Sequence, residues 1–104
     1  MIGEMKEQVT LLLRQGTPDG GGGEAIVWEE GDTVAANAVD LASSAARIAG
    51  RARVLRRRRF TLRRRDDITA ETRLAHRGLV FRLRALRTRA DAAGFLLLDG
   101  EEVR

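Results

Sequence analysis

The sequence has no cysteine, no tyrosine, a single proline, a single histidine and a single lysine among its 104 residues. Without cysteine there is no disulfide framework and no thiolate for zinc or nucleophilic chemistry. His76 has no second histidine to join it, so a transition-metal site would fall almost wholly to carboxylates. A structural or exposed role for His76 is the expectation. Only Trp28, Phe60, Phe81 and Phe95 are aromatic, too few for a nucleic-acid stacking platform once some enter the core. No apolar run approaches the ~20 residues that span a bilayer. The polar start, Met1 to Gln8, lacks the apolar centre of a signal peptide. A single non-membrane domain over 1–104, made and used in a cytoplasm, is expected.

Catalytic groupings are equally scarce. Ser43 and Ser44 have no histidine to serve as base. Asp66-Asp67 follows three arginines and leads into a turn, so ion pairing and turn formation explain it better than acid–base work. Glu29-Glu30-Asp32 reads as a solvated loop or a docking surface for arginine. The Gly-rich stretch 16–23 runs into Glu24-Ala25-Ile26-Val27-Trp28 rather than Lys-Ser/Thr and a helix, which excludes a phosphate loop in favour of a hairpin loop. No catalytic, cofactor or metal site is expected, and the protein is read as a non-enzyme.

What the chain has in abundance is arginine, unevenly placed. The formal charge is +4. Residues 1–46 carry Lys6 and Arg14 against eight acids. Residues 47–89 carry sixteen arginines against Asp66, Asp67 and Glu71, and 90–104 are acidic again. Such asymmetry implies complementary surfaces, within the fold or between neighbouring subunits. Arginine suits bidentate carboxylate or phosphate contacts, although a GC-rich genome would favour it as well.

Hydrophobic alternation reads as strands. Glu7 to Arg14 sets Val9, Leu11 and Leu13 on one face and Leu12 on the other. Glu24 to Glu30 follows, with a turn or bulge signal at Gly31-Asp32. Strands are also read at 59–65, 73–76, 78–86 and 94–98. Phe60 and Leu62 face inward, with burial starting near Arg59. Leu79, Phe81 and Leu83 face inward too, so that Arg57, Arg59, Arg82 and Arg84 would stack on one outer surface. Residues 94–98 are apolar on both faces. Leu12, and either Phe95 and Leu97 or Leu96 and Leu98, therefore need a second cover, from a packed helix or another chain, and Leu12, Trp28, Leu96 and Leu98 are the candidates for a partner. From 34 to 49 the spacing of Val34, Ala38, Leu41, Ala45 and Ile48 is helical, and alanine favours helix.

The order of these segments resembles the small head–tail joining proteins of tailed phages. The likeness is carried by Glu7-Gln8-Val9-Thr10-Leu11, Trp28, Val39-Asp40-Leu41-Ala42-Ser43 and Asp67-Ile68-Thr69. Arg73-Leu74, then Gly78, Val80, Phe81 and Leu83, then Leu96-Leu97-Leu98 with Glu101-Glu102 complete it. The resemblance implies an all-β small antiparallel barrel or sandwich with long loops and one short helix. That helix would run from Ser43 to Ala49, capped by Ser43 or Ser44, within a helix/loop insertion at 42–53. It further implies a stopper or head-closure protein of a phage or gene transfer agent, part of the virion or phage-like particle. Such proteins commonly form a ring of six between portal or adaptor and tail terminator or tail tube, retain packaged double-stranded DNA and offer the tail a platform. In related stoppers the loop corresponding to Ser43 to Arg57 faces the channel, which makes Arg47, Arg51 and Arg53 the candidates there. Arg57, Arg59, Arg82 and Arg84 become candidates for acidic patches on adjacent subunits. The reading from another class is a small basic barrel that binds nucleic acid as a free protein.

Overall fold

The computed structural model describes residues 5–18, 20–89 and 92–103. The polar start at 1–4 and Asp19 of the Gly-rich loop lie outside the described residues. Six strands follow in chain order: β1 (Glu7–Pro18), β2 (Glu24–Ile48), β3 (Arg51–Arg63), β4 (Arg73–His76), β5 (Leu79–Arg89) and β6 (Ala92–Glu102). They pair antiparallel in the order β1-β2-β3-β6-β5-β4, and β4 returns to β1 to close a barrel. Closure removes the unpaired edges that an open sheet of this size would expose.

Alternation decides what fills it. Val9 and Leu11 of β1, Ala36 of β2, Phe60 and Leu62 of β3, Leu74 of β4, Phe81 of β5 and Leu96 and Leu98 of β6 form one buried cluster. Val34, Ala38, Leu79 and Leu83 pack against it. Phe60 and Phe81 meet edge to face, with ring centroids 5.4 Å apart. Gly100 makes room for them, since a Cβ there would lie 3.0 Å from the Phe81 Cβ and 3.3 Å from the Phe60 ring.

Three expectations are corrected. No helix occurs among the described residues: 43–48 belongs to β2, a strand of 25 residues, and Ala49 to the turn after it. Helix propensity is a weak prior, and here β3 offers a ladder from Ala36↔Leu62 to Ile48↔Arg51. The turn that closes this ladder is Ala49-Gly50, with φ of 52° and 76°. Positive φ at both central residues is the hairpin geometry whose twist matches the flanking strands. The same turn joins β4 to β5 at Arg77-Gly78. Second, Leu96 and Leu98 are core residues rather than partner-facing, because they stand opposite Leu62 and Phe60 across the β3–β6 ladder. Phe95 and Leu97 take the outer face, half-buried. Third, the arginines of β3 and β5 do not stack on each other: β6 runs between the two strands.

β2 is too long for the barrel. About 3.3 Å per residue would carry it ~80 Å if straight, yet the longest dimension of the molecule is 51 Å. The register shifts show how it bends. Two residues of β2 oppose one of its partner at Gly31-Asp32, facing β1, and again at Ala42-Ser43, facing β3. Bulges of this kind bend a strand and increase its twist. The middle of β2 lies in the barrel wall, and its two ends leave as two-stranded arms. The first arm pairs residues 13–18 with 24–29, and the second pairs 44–48 with 51–55.

Candidate functional site: two arms of opposite charge

On the barrel, most arginines are met by carboxylates of the same chain. Arg59 holds Asp99 through two hydrogen bonds, Nε to Oδ1 at 2.7 Å and a terminal nitrogen to Oδ2 at 3.2 Å. Arg87 approaches the same carboxylate at 3.5 Å. Arg82 and Arg84 grip the two oxygens of Glu101 at 2.7 and 2.9 Å. β6 therefore supplies acids between the two arginine-bearing strands, where direct arginine neighbours would repel. Arg65 bridges Asp32 and Asp67 at 2.7 and 2.8 Å. Hydrogen bonds from Arg59 hold the Asp99 carboxyl below its ordinary pKa in spite of burial. Those from Arg65 do the same to Asp67. The partnered arginines Arg59 and Arg65 are shifted up in turn.

Sequence reasoning missed the deepest arginine. Arg58 lies on the face of Phe60 and Leu62, and its side chain is only 9% exposed. Its guanidinium sits 5.2 Å from the Phe81 ring centroid. Its Nε donates to Asp40 at 2.7 Å and a terminal nitrogen donates to His76 Nδ1 at 3.1 Å. Arginine has donors only, so Nδ1 accepts and the ring proton sits on Nε2, which donates to Glu7 at 2.8 Å. His76 also stands edge-on to Phe60 at 5.3 Å. Both of its ring nitrogens are engaged in holding β1, β3 and β4 together. The Arg58 hydrogen bond lowers the Asp40 pKa, and that from His76, with Arg77 nearby, lowers that of Glu7.

The aromatics are engaged as well. Phe60 and Phe81 are fully buried. Arg73 covers Trp28, 4.1 Å from its ring centroid, and Arg63 lies 5.8 Å from that of Phe95. Leu12 and Trp28 are half-buried. Leu12 lies in the β1 ladder opposite Glu30 and Arg73.

The arms differ from all this. No acid occurs between 41 and 57, where Arg47, Arg51, Arg53, Arg56 and Arg57 stand. Arg47 hydrogen-bonds only the Gly50 carbonyl, at 3.2 Å. Arg51 and Arg53 are exposed and meet no carboxylate among the described residues. The register puts Arg51 and Arg53 on one face of the ribbon and Arg47, opposite Ala52, on the other with Val54. The structure thus brings the three channel candidates to one arm, near its tip, on two faces. Arg57 sits at the root of this arm on the face of Arg59, opposite Glu101 and across it from Arg82, and its Nε is buried without an acceptor. The first arm is the converse. Glu24 and Glu29 are exposed there, as is Glu30 at its root, and they pair with nothing among the described residues.

A closed antiparallel barrel from which two ribbons project, one bearing Arg47, Arg51 and Arg53 and the other Glu24 and Glu29, defines a small all-β protein with the exposed chemistry of a binding surface. Residues 1–103 match the family described as phage head completion protein, and the chain belongs to that family. Its fold is similar to that of a chain in the virion of a native gene transfer agent particle, with a TM-score of 0.82, 18% identity and 98% of both chains covered. It is similar also to the solution structure of protein SF1141 from Shigella flexneri 2a, with a TM-score of 0.74, 20% identity and coverage of 97% and 95%. Among curated protein sequences, none matches.

Proposed function

We propose that this protein is the head-closure component of a phage or phage-like particle, forming a ring, commonly of six, below the portal or adaptor. The ring retains packaged double-stranded DNA and offers a platform to the tail terminator or tail tube. In this ring the second arm turns toward the channel, and Arg47, Arg51 and Arg53 meet DNA phosphates. The observation that carries the reading is the segregation of charge: Arg58, Arg59, Arg65, Arg82 and Arg84 of the barrel hold acids of their own chain, while Arg47, Arg51 and Arg53 of the arm hold none among the described residues. Arginine on both faces of a thin ribbon suits backbone contact with a duplex, which needs charge and no base recognition.

The competing reading, a free nucleic-acid binder, draws on the same arginines. It is weakened by the engagement of all four aromatics, which leaves no stacking platform among the described residues. The decisive experiment is electron microscopy of particles made without the gene. Unjoined tails beside empty or leaking heads are the expected outcome, and full tailed particles would refute the proposal. Within intact particles, Arg51→Glu/Arg53→Glu is expected to release DNA while leaving the barrel folded. Tight binding of the isolated protein to free DNA, falling steeply with salt, would instead favour the second reading.

A further inference from the structure

At the root of the basic arm, where the Ala42-Ser43 bulge opens the β2–β3 ladder, lies a cleft of about 220 Å³ lined by Asp40, Leu41, Ser43, Arg56, Arg57 and Arg58. Three arginines and one acidic residue are among those that line it. That acidic residue, Asp40, is already spent on Arg58. The Arg57 Nε is buried with no acceptor, and a buried unpaired donor on a charged group costs ~1–3 kcal/mol or more. No acceptor reaches the Arg57 Nε, although acids of the chain lie nearby: Glu101 stands opposite Arg57, Asp99 is within electrostatic reach of Arg57 and Asp40 of Arg56, and Glu102 accepts from the Arg56 backbone N–H.

The same molecule carries the missing groups elsewhere. Glu24, Glu29 and Glu30 are exposed acids without a partner among the described residues, the first two on the other arm and Glu30 at its root. Both arms also expose apolar side chains, Ile26 and Val27 on the acidic arm and Val54 on the basic one, as the barrel does at Val39 and Leu86. Because the two arms leave opposite ends of β2, one molecule cannot fold its own acids into its own cleft without breaking the barrel.

We infer that the cleft is a carboxylate socket for a second copy of this chain, which inserts its acidic arm so that Glu24, Glu29 or Glu30 pairs with Arg56 and Arg57. The contact is head-to-tail, the kind that propagates and closes into a ring, and Val54 meets Ile26 and Val27 beside it. The inference rests on the ring reading. It assigns the subunit contact to the root of the basic arm and leaves the tip arginines free for DNA.

The single lysine of the chain makes a direct test possible. Arg56→Lys and Arg57→Lys, made separately, each keep the charge and add one amine that zero-length carbodiimide coupling can join to a touching carboxylate. Treated particles should yield a ladder of dimers and higher multiples, with position 56 or 57 joined to Glu24, Glu29 or Glu30. Particles that contain the protein but show no ladder, or join these positions only to another protein, would overturn the inference and leave the junction reading standing. Particles that lack the protein would overturn both. A second test is charge exchange. Glu24→Arg/Glu29→Arg/Glu30→Arg and Arg56→Glu/Arg57→Glu should each cut incorporation about tenfold or more, as opposed charges become like ones. Both sets in one chain should restore it. Failure of that restoration, with the combined variant folded, would count against the socket.

Discussion

Arginine has two uses in this molecule, and the barrel and its second arm separate them. On the barrel, Arg59, Arg65, Arg82 and Arg84 are held by Asp99, Asp67, Asp32 and Glu101, and Arg58 is drawn into the core by Asp40, His76 and Phe81. On the arm, the same residue type is left without acids. A charge met inside the chain stabilises the fold, whereas a charge left over is available to something else. Net charge alone hides this, because +4 is the remainder of a larger separation.

The comparison breaks most visibly at Arg58. Arg58→Ala leaves His76 Nδ1 without its donor and uncovers Phe81, and should destabilise the protein by ~3 kcal/mol. Thermal unfolding would show a fall of more than about 10 °C in Tm. A smaller effect is expected in acid. Asp99, Asp67, Asp40 and Glu7 all have carboxyl pKa values depressed in the folded state. Their contribution is complete above the unfolded value near 4 and disappears as pH falls through the lower folded values. Denaturant unfolding at a series of acidic pH values should trace that loss. Asp99→Asn should weaken the protein by ~1 kcal/mol at neutral pH and flatten the acid limb, because Arg59 is partly exposed and screened.

Smaller still is the gain at the arm tip. Ala49 has φ of 52°, a region that asparagine and glycine tolerate better than alanine. Ala49→Asn should stabilise by ~0.5–1 kcal/mol, read from the urea midpoint. Arg51→Ala/Arg53→Ala should change stability by no more than about 0.5 kcal/mol. A large loss of stability there would erase the distinction between the two uses of arginine.

Much of the barrel was legible from alternation. The inward faces of β1, β5 and the second half of β3 carry Val9, Leu11, Phe60, Leu62, Phe81 and Leu83 as read, and the β4–β5 hairpin falls where Gly78 marks a turn. The burial of Arg58 was not legible. Its parity placed it beside Phe60, but its partners Asp40, His76 and Glu7 are distant in sequence, and solvation is the ordinary fate of an arginine run. The strand at 43–48 was hidden for a related reason. Alanine at helical spacing speaks locally, while the β3 ladder speaks from across the chain, and Ala-Gly lacks the Asn or Asp that marks such a turn. The two faces of β6 were equally apolar, so only strand order could decide that Leu96 and Leu98 turn inward. The charge division between the arms could be counted in the sequence, but only the pairing of barrel acids showed which charges remain over.

β2 carries both arms on one backbone, with no loop between them, and this makes it a phase-keeper. Side chains alternate with period two, so the face shown at one end is tied by count to the face shown at the other. The bulges at Gly31-Asp32 and Ala42-Ser43 set that count. Removing a single residue at either one would turn over the faces of one arm relative to the barrel while every core residue kept its place. The relative orientation of the acidic and basic surfaces is thus a matter of parity along one strand.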